Sequence, residues 1–491
     1  THRTSVHWPV RKSHLPYFRP HMNDGKSPRN ERSSHAIQCV QRYEAMLHRN
    51  EKLFFDVEEF EIIISHYLEQ NEWRRAKQVL DLAVEQHPGS NDLLFCEAQV
   101  LMGMGKLNPA LAVLDRLEKI EPFNEDIPMN KAAIFSQLRD HRRSIEQYKK
   151  ALKLAEEGHD EILLDLAFEY ENTEAFDDAI QCLLRAADIN PENDAVLYEL
   201  AYCYDLAGRN DQCIVYFRQF TDKYPYAFVA WYNLGNALAI ADRLDDSNDA
   251  LDLSLAIDER FTSAYFSKAR NLLMMGRFEE AVQCYRETQE FDGPQAVTFS
   301  YIGECFEKME RYHEALIHYD QSLALDPNWT DAWIGRGVVK DLQGRTAEAI
   351  KDLEIATRIQ PDHPDAWYYL ANTLGRAAQY ERSLAAYTKL NTLDAGHLEG
   401  WLDHADMLLH LKGPDAAMKK LKEGEMVHKL TSAYRFRMVR YVLRPGRRRQ
   451  ALLELEDALM SDPKGHSALT EHYPDAAKIP QVVHIIALYN K

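Results

Sequence analysis

The chain has 491 residues, 45% hydrophobic and 27% charged, with a formal net charge of −19. No apolar run is long enough to cross a bilayer, and the seven cysteines are odd in number, scattered and never in a CxxC pair, which points to a reducing, cytoplasmic setting. The acid is concentrated in the middle: residues 1–56 carry +5 and 412–491 carry +6, so 57–411 carries −30, a trunk that repels nucleic acid and anionic membrane.

Residues 1–34 are rich in His, Pro, Ser and Arg and show no helical periodicity. They read as a disordered tail or a non-native extension, and they lack the apolar core of a secretory signal. In 35–56, the residues Ile37, Val40, Tyr43 and Leu47 recur at helical spacing and predict a helix that caps the segment beginning at residue 57.

From residue 57 to 465 a 34-residue beat takes over. Pro88 and Pro122, Pro191 and Pro225, and Pro327 and Pro361 are each 34 apart. A period of this length marks stacked units, because no single unit can bury its own apolar face. Twelve units start at Val57, Asn91, Glu125, Asp160, Asp194, Phe228, Thr262, Ala296, Thr330, Pro364, Leu398 and Ser432. Unit position 20 is small in all twelve, from Ala76 to Ala451, and position 24 is large and apolar or aromatic in all twelve, from Leu80 to Leu455. Position 8 is Ala or Gly in ten units. Positions 4, 7, 8 and 11 share one helical face, and 20, 24 and 27 share a face on a second helix. Small residues at 8 and 20 predict close approach of the two helices, with the residue at 24 filling the space beside them. Gly105, Gly208, Gly276 and Gly344 mark a turn near position 15, and proline at position 32 stops the second helix.

Residues 466–491 open with a truncated unit at Leu469–Tyr473 and end in an amphipathic segment carrying Ile479, Val482, Val483, Ile486 and Tyr489. A closing helix is expected there, since an open stack end exposes apolar surface.

The run Trp367-Tyr368-Tyr369-Leu370-Ala371, with Ser383, Tyr387 and the preceding Pro361, resembles the tetratricopeptide repeat family. The resemblance covers roughly residues 57–465, and the layout resembles stand-alone multi-repeat proteins of bacteria. It implies an all-α, right-handed superhelix of about twelve helix-turn-helix units. It also implies a non-enzymatic scaffold that holds protein or peptide partners in a groove lined by first helices at positions 2, 5, 6, 9, 12 and 13. On this chain those positions nominate Tyr198, Tyr202, Tyr232, Asn233, Asn236, Phe266, Arg270, Tyr368 and Asn372 as peptide-binding residues. Rings give apolar contact at low entropy cost, and amides can bond a backbone twice. No unit has Lys at position 5, so a clamp for terminal carboxylates is not expected.

Arg437, Arg440 and Arg444 form a helical stripe in the last unit, followed by Arg447, Arg448 and Arg449. This basic patch suggests an acidic ligand, or RNA, as an alternative partner; a third reading is a substrate-recruiting subunit of an enzyme complex. His313 and His318 are five residues apart and too far around a helix to share a metal, so no metal, cofactor or catalytic residue is expected. His363-Pro364-Asp365 falls in an inter-unit turn, where Pro and Asp are ordinary.

Overall fold

The computed structural model describes residues 29–49, 51–428, 431–443, 448–472 and 474–489, and among these it is all helix and turn, with no strand. Residues 1–28 of the expected tail lie outside this range. The chain divides into two compact units, 1–259 and 260–491.

The first unit opens with α1 (Arg29–Arg49), followed by six helix pairs: α2 (Val57–Glu69) with α3 (Trp73–Gln86), α4 (Asn91–Gly103) with α5 (Leu107–Ile120), α6 (Asp126–Gln137) with α7 (His141–Leu154), α8 (His159–Asn172) with α9 (Phe176–Ile189), α10 (Asp194–Leu206) with α11 (Asn210–Lys223), and α12 (Phe228–Ile240) with α13 (Leu244–Ile257). The second unit holds six more: α14 (Thr262–Met274) with α15 (Phe278–Asp292), α16 (Ala296–Lys308) with α17 (Tyr312–Leu325), α18 (Thr330–Leu342) with α19 (Thr346–Ile359), α20 (Pro364–Arg376) with α21 (Tyr380–Leu393), α22 (Leu398–Lys412) with α23 (Pro414–His428), and α24 (Ser432–Val442) with α25 (Arg448–Ser461). It closes with α26 (His466–His472), a 3-10 turn at Pro474–Lys478 and α27 (Pro480–Tyr489). Each pair begins within one residue of its expected start.

The reason is visible in the columns. Every position-20 residue is at most 3% exposed, and every position-24 residue at most 7%. A Cβ on Gly235, at position 8, would lie 2.8 Å from Leu251 Cγ at position 24, so the small residue exists to admit the large one. Where position 20 is serine, its hydroxyl donates to the carbonyl at position 8 of the same unit: Ser144 to Ala132 at 2.9 Å, Ser247 to Gly235 at 2.6 Å and Ser383 to Ala371 at 2.7 Å. A buried hydroxyl is thereby satisfied without disturbing the packing. Successive units are tied by position-4 tryptophans. The indole N–H of Trp231 donates to Pro225 O at 2.9 Å, and Trp333 and Trp367 do the same to Pro327 and Pro361 at 2.8 and 2.9 Å.

The turn at position 15 is left-handed in the first ten pairs. Glycine occupies it at Gly105, Gly208, Gly276 and Gly344, but Asn71, Arg139, Glu174, Asp242, Glu310 and Ala378 adopt it too, with φ between 56° and 60°. The following N–H reaches back to close the helix end, as Arg243 N does to Leu238 O at 2.9 Å.

Both ends differ in detail from the sequence expectation. Helix α1 starts at Arg29, inside the segment expected to be a tail. It buries Cys39, Val40, Tyr43 and Met46 against Phe55, Phe60 and Ile63, and leaves Ile37 and Leu47 more than half exposed. In α27 the buried pair is Val482 and Ile485, and Val483 faces out. An end helix packs against neighbours on one side only, and those neighbours set which face it buries. All seven cysteines are free; Cys182 and Cys213 are buried thiols.

Candidate interaction surface on the first helices

In the first unit the nominated residues pack against each other. Tyr232, Asn233 and Asn236 are 2%, 1% and 1% exposed, so they do not stand on an open wall as expected. The Tyr198 ring meets Tyr232 edge to face, 6.1 Å between centroids, and burial pushes the Tyr198 phenol up. Asn233 Nδ2 donates to Leu197 O at 2.9 Å, which ties this side chain to the neighbouring first helix. Tyr198 and Tyr202 keep partial exposure. The physical reason is proximity: first helices of adjacent pairs touch, and large residues at positions 5, 6 and 9 fill the space between them.

In the second unit Phe266 and Arg270 are half-buried, the Phe266 ring lying 5.7 Å from Tyr285 and 6.2 Å from Tyr301. Tyr368 stacks obliquely on His397 at 4.7 Å and donates its hydroxyl to Asp403 Oδ2 at 3.2 Å. Asn372 accepts from the Tyr387 hydroxyl. These nominated side chains make contacts within the protein and keep partial exposure.

The basic stripe is also corrected. Arg437 is 8% exposed and pairs with Asp406, to which Arg440 Nη1 also donates at 2.8 Å. Two of its three arginines thus share one carboxylate. Arg448 and Arg449 are exposed at the start of α25, and Arg444 and Arg447 lie outside the described residues. His318 lies flat on Phe306, with ring centroids 5.2 Å apart, and burial pushes its pKa down.

The groove positions do open elsewhere. A cavity of about 200 Å³ lies on α16, α18 and α20. Helix α16 contributes Tyr301, Glu304, Glu307 and Lys308; α18 contributes Asp331, Ile334, Gly335 and Val338; α20 contributes Asp365 and Tyr369. These are repeat positions 2, 5, 6, 9, 12 and 13. Tyr319 of α17 also lines it, donating its hydroxyl to Glu307 Oε2 at 2.9 Å. A Cβ at Gly335 would overlap Tyr319 Cζ, so only glycine admits the ring there.

Four carboxylates converge on this space. Burial, with the neighbouring Asp331, pushes the Glu304 carboxyl up; burial, with Glu304, does the same to Glu307 against the opposing Tyr319 bond and Lys308. His363 Nε2 lies 3.3 Å from Asp331 Oδ1, a bond that raises the imidazole pKa. The sequence signal was available: glycine at position 6 of a unit whose predecessor carries Glu at positions 9 and 12. A second cluster that sequence reasoning misses is Glu171, Glu199 and Cys203, whose ligand atoms lie within 4.8 Å of one another.

Models of the tetratricopeptide repeat match residues 129–157 and 160–193, 195–225, and 303–364 with 342–397. These matches fall on the helix pairs from α6 to α11 and from α16 to α21. Over these stretches the chain carries tetratricopeptide repeats. It is 26% identical over 188 residues to the tetratricopeptide repeat-containing protein trd-1 of Caenorhabditis elegans, covering 38% of this chain and 24% of that one. It is 22% identical over 327 residues to the anaphase-promoting complex subunit cut9 of Schizosaccharomyces pombe, covering 65% and 47%. To ER membrane protein complex subunit 2 of Xenopus tropicalis it is 34% identical over 109 residues, covering 22% and 36%. The repeat protein thus spans between a quarter and a half of the length of these relatives. Among solved structures it is similar to the Cut9–Hcn1 hetero-tetramer, with TM-score 0.42, 14% identity, and coverage of 84% and 94%. No helix among its described residues is long and apolar enough to cross a membrane.

Proposed function

We propose that this repeat protein is a non-enzymatic cytoplasmic scaffold that holds an extended segment of a partner protein along its first helices. The observation that supports it is the cavity on α16, α18 and α20, because the positions lining it recur in three successive repeats. A wall built from repeated positions offers pockets at a regular spacing, which suits a chain rather than a compact molecule. Affinity then comes from several modest contacts, with ring contacts such as Tyr301 and Tyr369 among the stronger ones. The test is site-specific photocrosslinking. A benzophenone side chain at Val338 should form adducts with a partner, whereas one at Ile317, exposed on a second helix, should not. Equal labelling at both sites, or labelling at Ile317 alone, overturns the groove reading.

A second reading has a separate support: cut9 and ER membrane protein complex subunit 2 are both named as subunits of assemblies. On that reading the repeat protein is itself a fixed subunit of a larger complex. It predicts that the native protein elutes in one stoichiometric complex, where a transient scaffold elutes mostly alone.

A further inference from the structure

We propose that the cavity on α16, α18 and α20 takes the cationic side chain of an arginine or lysine in the bound partner segment. The inference rests on the scaffold reading and specifies the chemistry of its ligand.

Size comes first. At about 200 Å³ the space is several times the ~30 Å³ of a water molecule, yet below the roughly 300–1,000 Å³ of a small-molecule site. It matches one long side chain. Charge decides which kind. Glu304, Glu307, Asp331 and Asp365 line it, against Lys308 and His363. His363 is already committed to Asp331. Among the described residues neither Glu304 nor Asp365 has an ion pair or a side-chain hydrogen bond, so two acceptors are left to face a single exposed lysine. Tyr301 and Tyr369 add ring edges and faces, which suit an aliphatic stem and a cationic head. Glu307 is oriented by the Tyr319 hydroxyl, and Tyr319 is held by the gap at Gly335, so this part of the floor is preorganised. Burial holds the Glu304 and Glu307 carboxyls above their usual range, and a cation placed between them offsets that cost.

The experiment is selection of a displayed library of random dodecapeptides against the full chain. Enriched peptides are then labelled and titrated against wild type, Glu304→Gln, Asp365→Asn, Lys308→Gln and Tyr369→Ala. The expected result is a shared Arg or Lys whose replacement by citrulline or norleucine weakens binding about tenfold or more, as for one charged contact. Glu304→Gln and Asp365→Asn should weaken the parent peptides and erase most of that difference. Lys308→Gln, which removes the competing cation, should tighten binding, a gain that a misfolded variant cannot mimic. Peptides that need Tyr369 but no basic residue overturn the inference and leave the scaffold reading standing. Peptides indifferent to Tyr369→Ala, or no enrichment at all, overturn both. Saturable binding of Mg²⁺ or Ca²⁺ alone that Glu304→Gln abolishes assigns the cavity to a metal ion and also overturns the inference.

Discussion

Helices α12 and α18 occupy the same place in their repeats and differ at the groove positions: Ile334 is only 7% exposed, but a cavity opens beside it in α18. In α12 positions 5, 6 and 9 are Tyr232, Asn233 and Asn236, all buried. In α18 the same positions are Ile334, Gly335 and Val338, and they border a cavity. The repeat phase says which wall a residue belongs to, and side-chain volume decides whether that wall is filled or open. Rings and amides look like a binding surface in the sequence, but their size is what closes the wall in α12. The open site lies where position 6 has no side chain.

A reciprocal exchange of position 6 tests this most severely. Gly335→Asn drives atoms into Tyr319 and should cost about 3 kcal/mol, from overpacking and partial expulsion of a buried ring. Urea denaturation of the full chain should show an earlier transition for the second unit. Asn233→Gly should cost less, about 2 kcal/mol, from a lost hydrogen bond and helical glycine. It should not create a site, because Tyr198 and Tyr232 remain. Equal costs, or retention of the cavity in Gly335→Asn, would break the comparison.

Acid should weaken the second unit by the next largest amount. His404 is 5% exposed, stacks on Tyr387 at 5.5 Å, and burial with Lys420 nearby pushes its pKa down to about 3. The unfolded chain binds a proton there below about pH 6.5, whereas the folded chain resists until near pH 3. Stability present above the unfolded value is therefore lost progressively across that window, on the order of 2 kcal/mol between pH 7 and pH 5. Unfolding midpoints at the two pH values should show the loss, and His404→Gln should flatten it. A slope unchanged by the substitution would assign the acid sensitivity elsewhere.

The smallest effect concerns the turns, where the two units should behave alike. Ala378 has φ 56°, a left-handed conformation that costs an L-residue about 1 kcal/mol. Ala378→Gly should stabilise the second unit and Glu174→Gly the first, each by up to about 1 kcal/mol. Thermal unfolding that shifts downward for either would show that the turn is not strained.

The helix pairs were legible in the sequence to within a residue, because position 8, 20 and 24 contacts are local to one repeat and recur twelve times. The terminal helices were legible as helices but not in which face they bury, since each meets a neighbour only once and no period averages the error. The repeat positions that line the cavity were legible in the sequence, and which side chains stand open there was not. Asn372 and Arg437 look like free polar groups in the sequence, and only the neighbours Tyr387 and Asp406 show that they are engaged.

By itself, the amino-acid order determined the all-helical repeat, its turns and its prolines, because short-range sterics and hydrogen bonding act within a few residues of each alternation. Which polar and aromatic side chains remain available to a partner was decided by tertiary packing between successive first helices. That outcome depends on volumes contributed by residues about 34 positions apart, a sum that no single repeat contains.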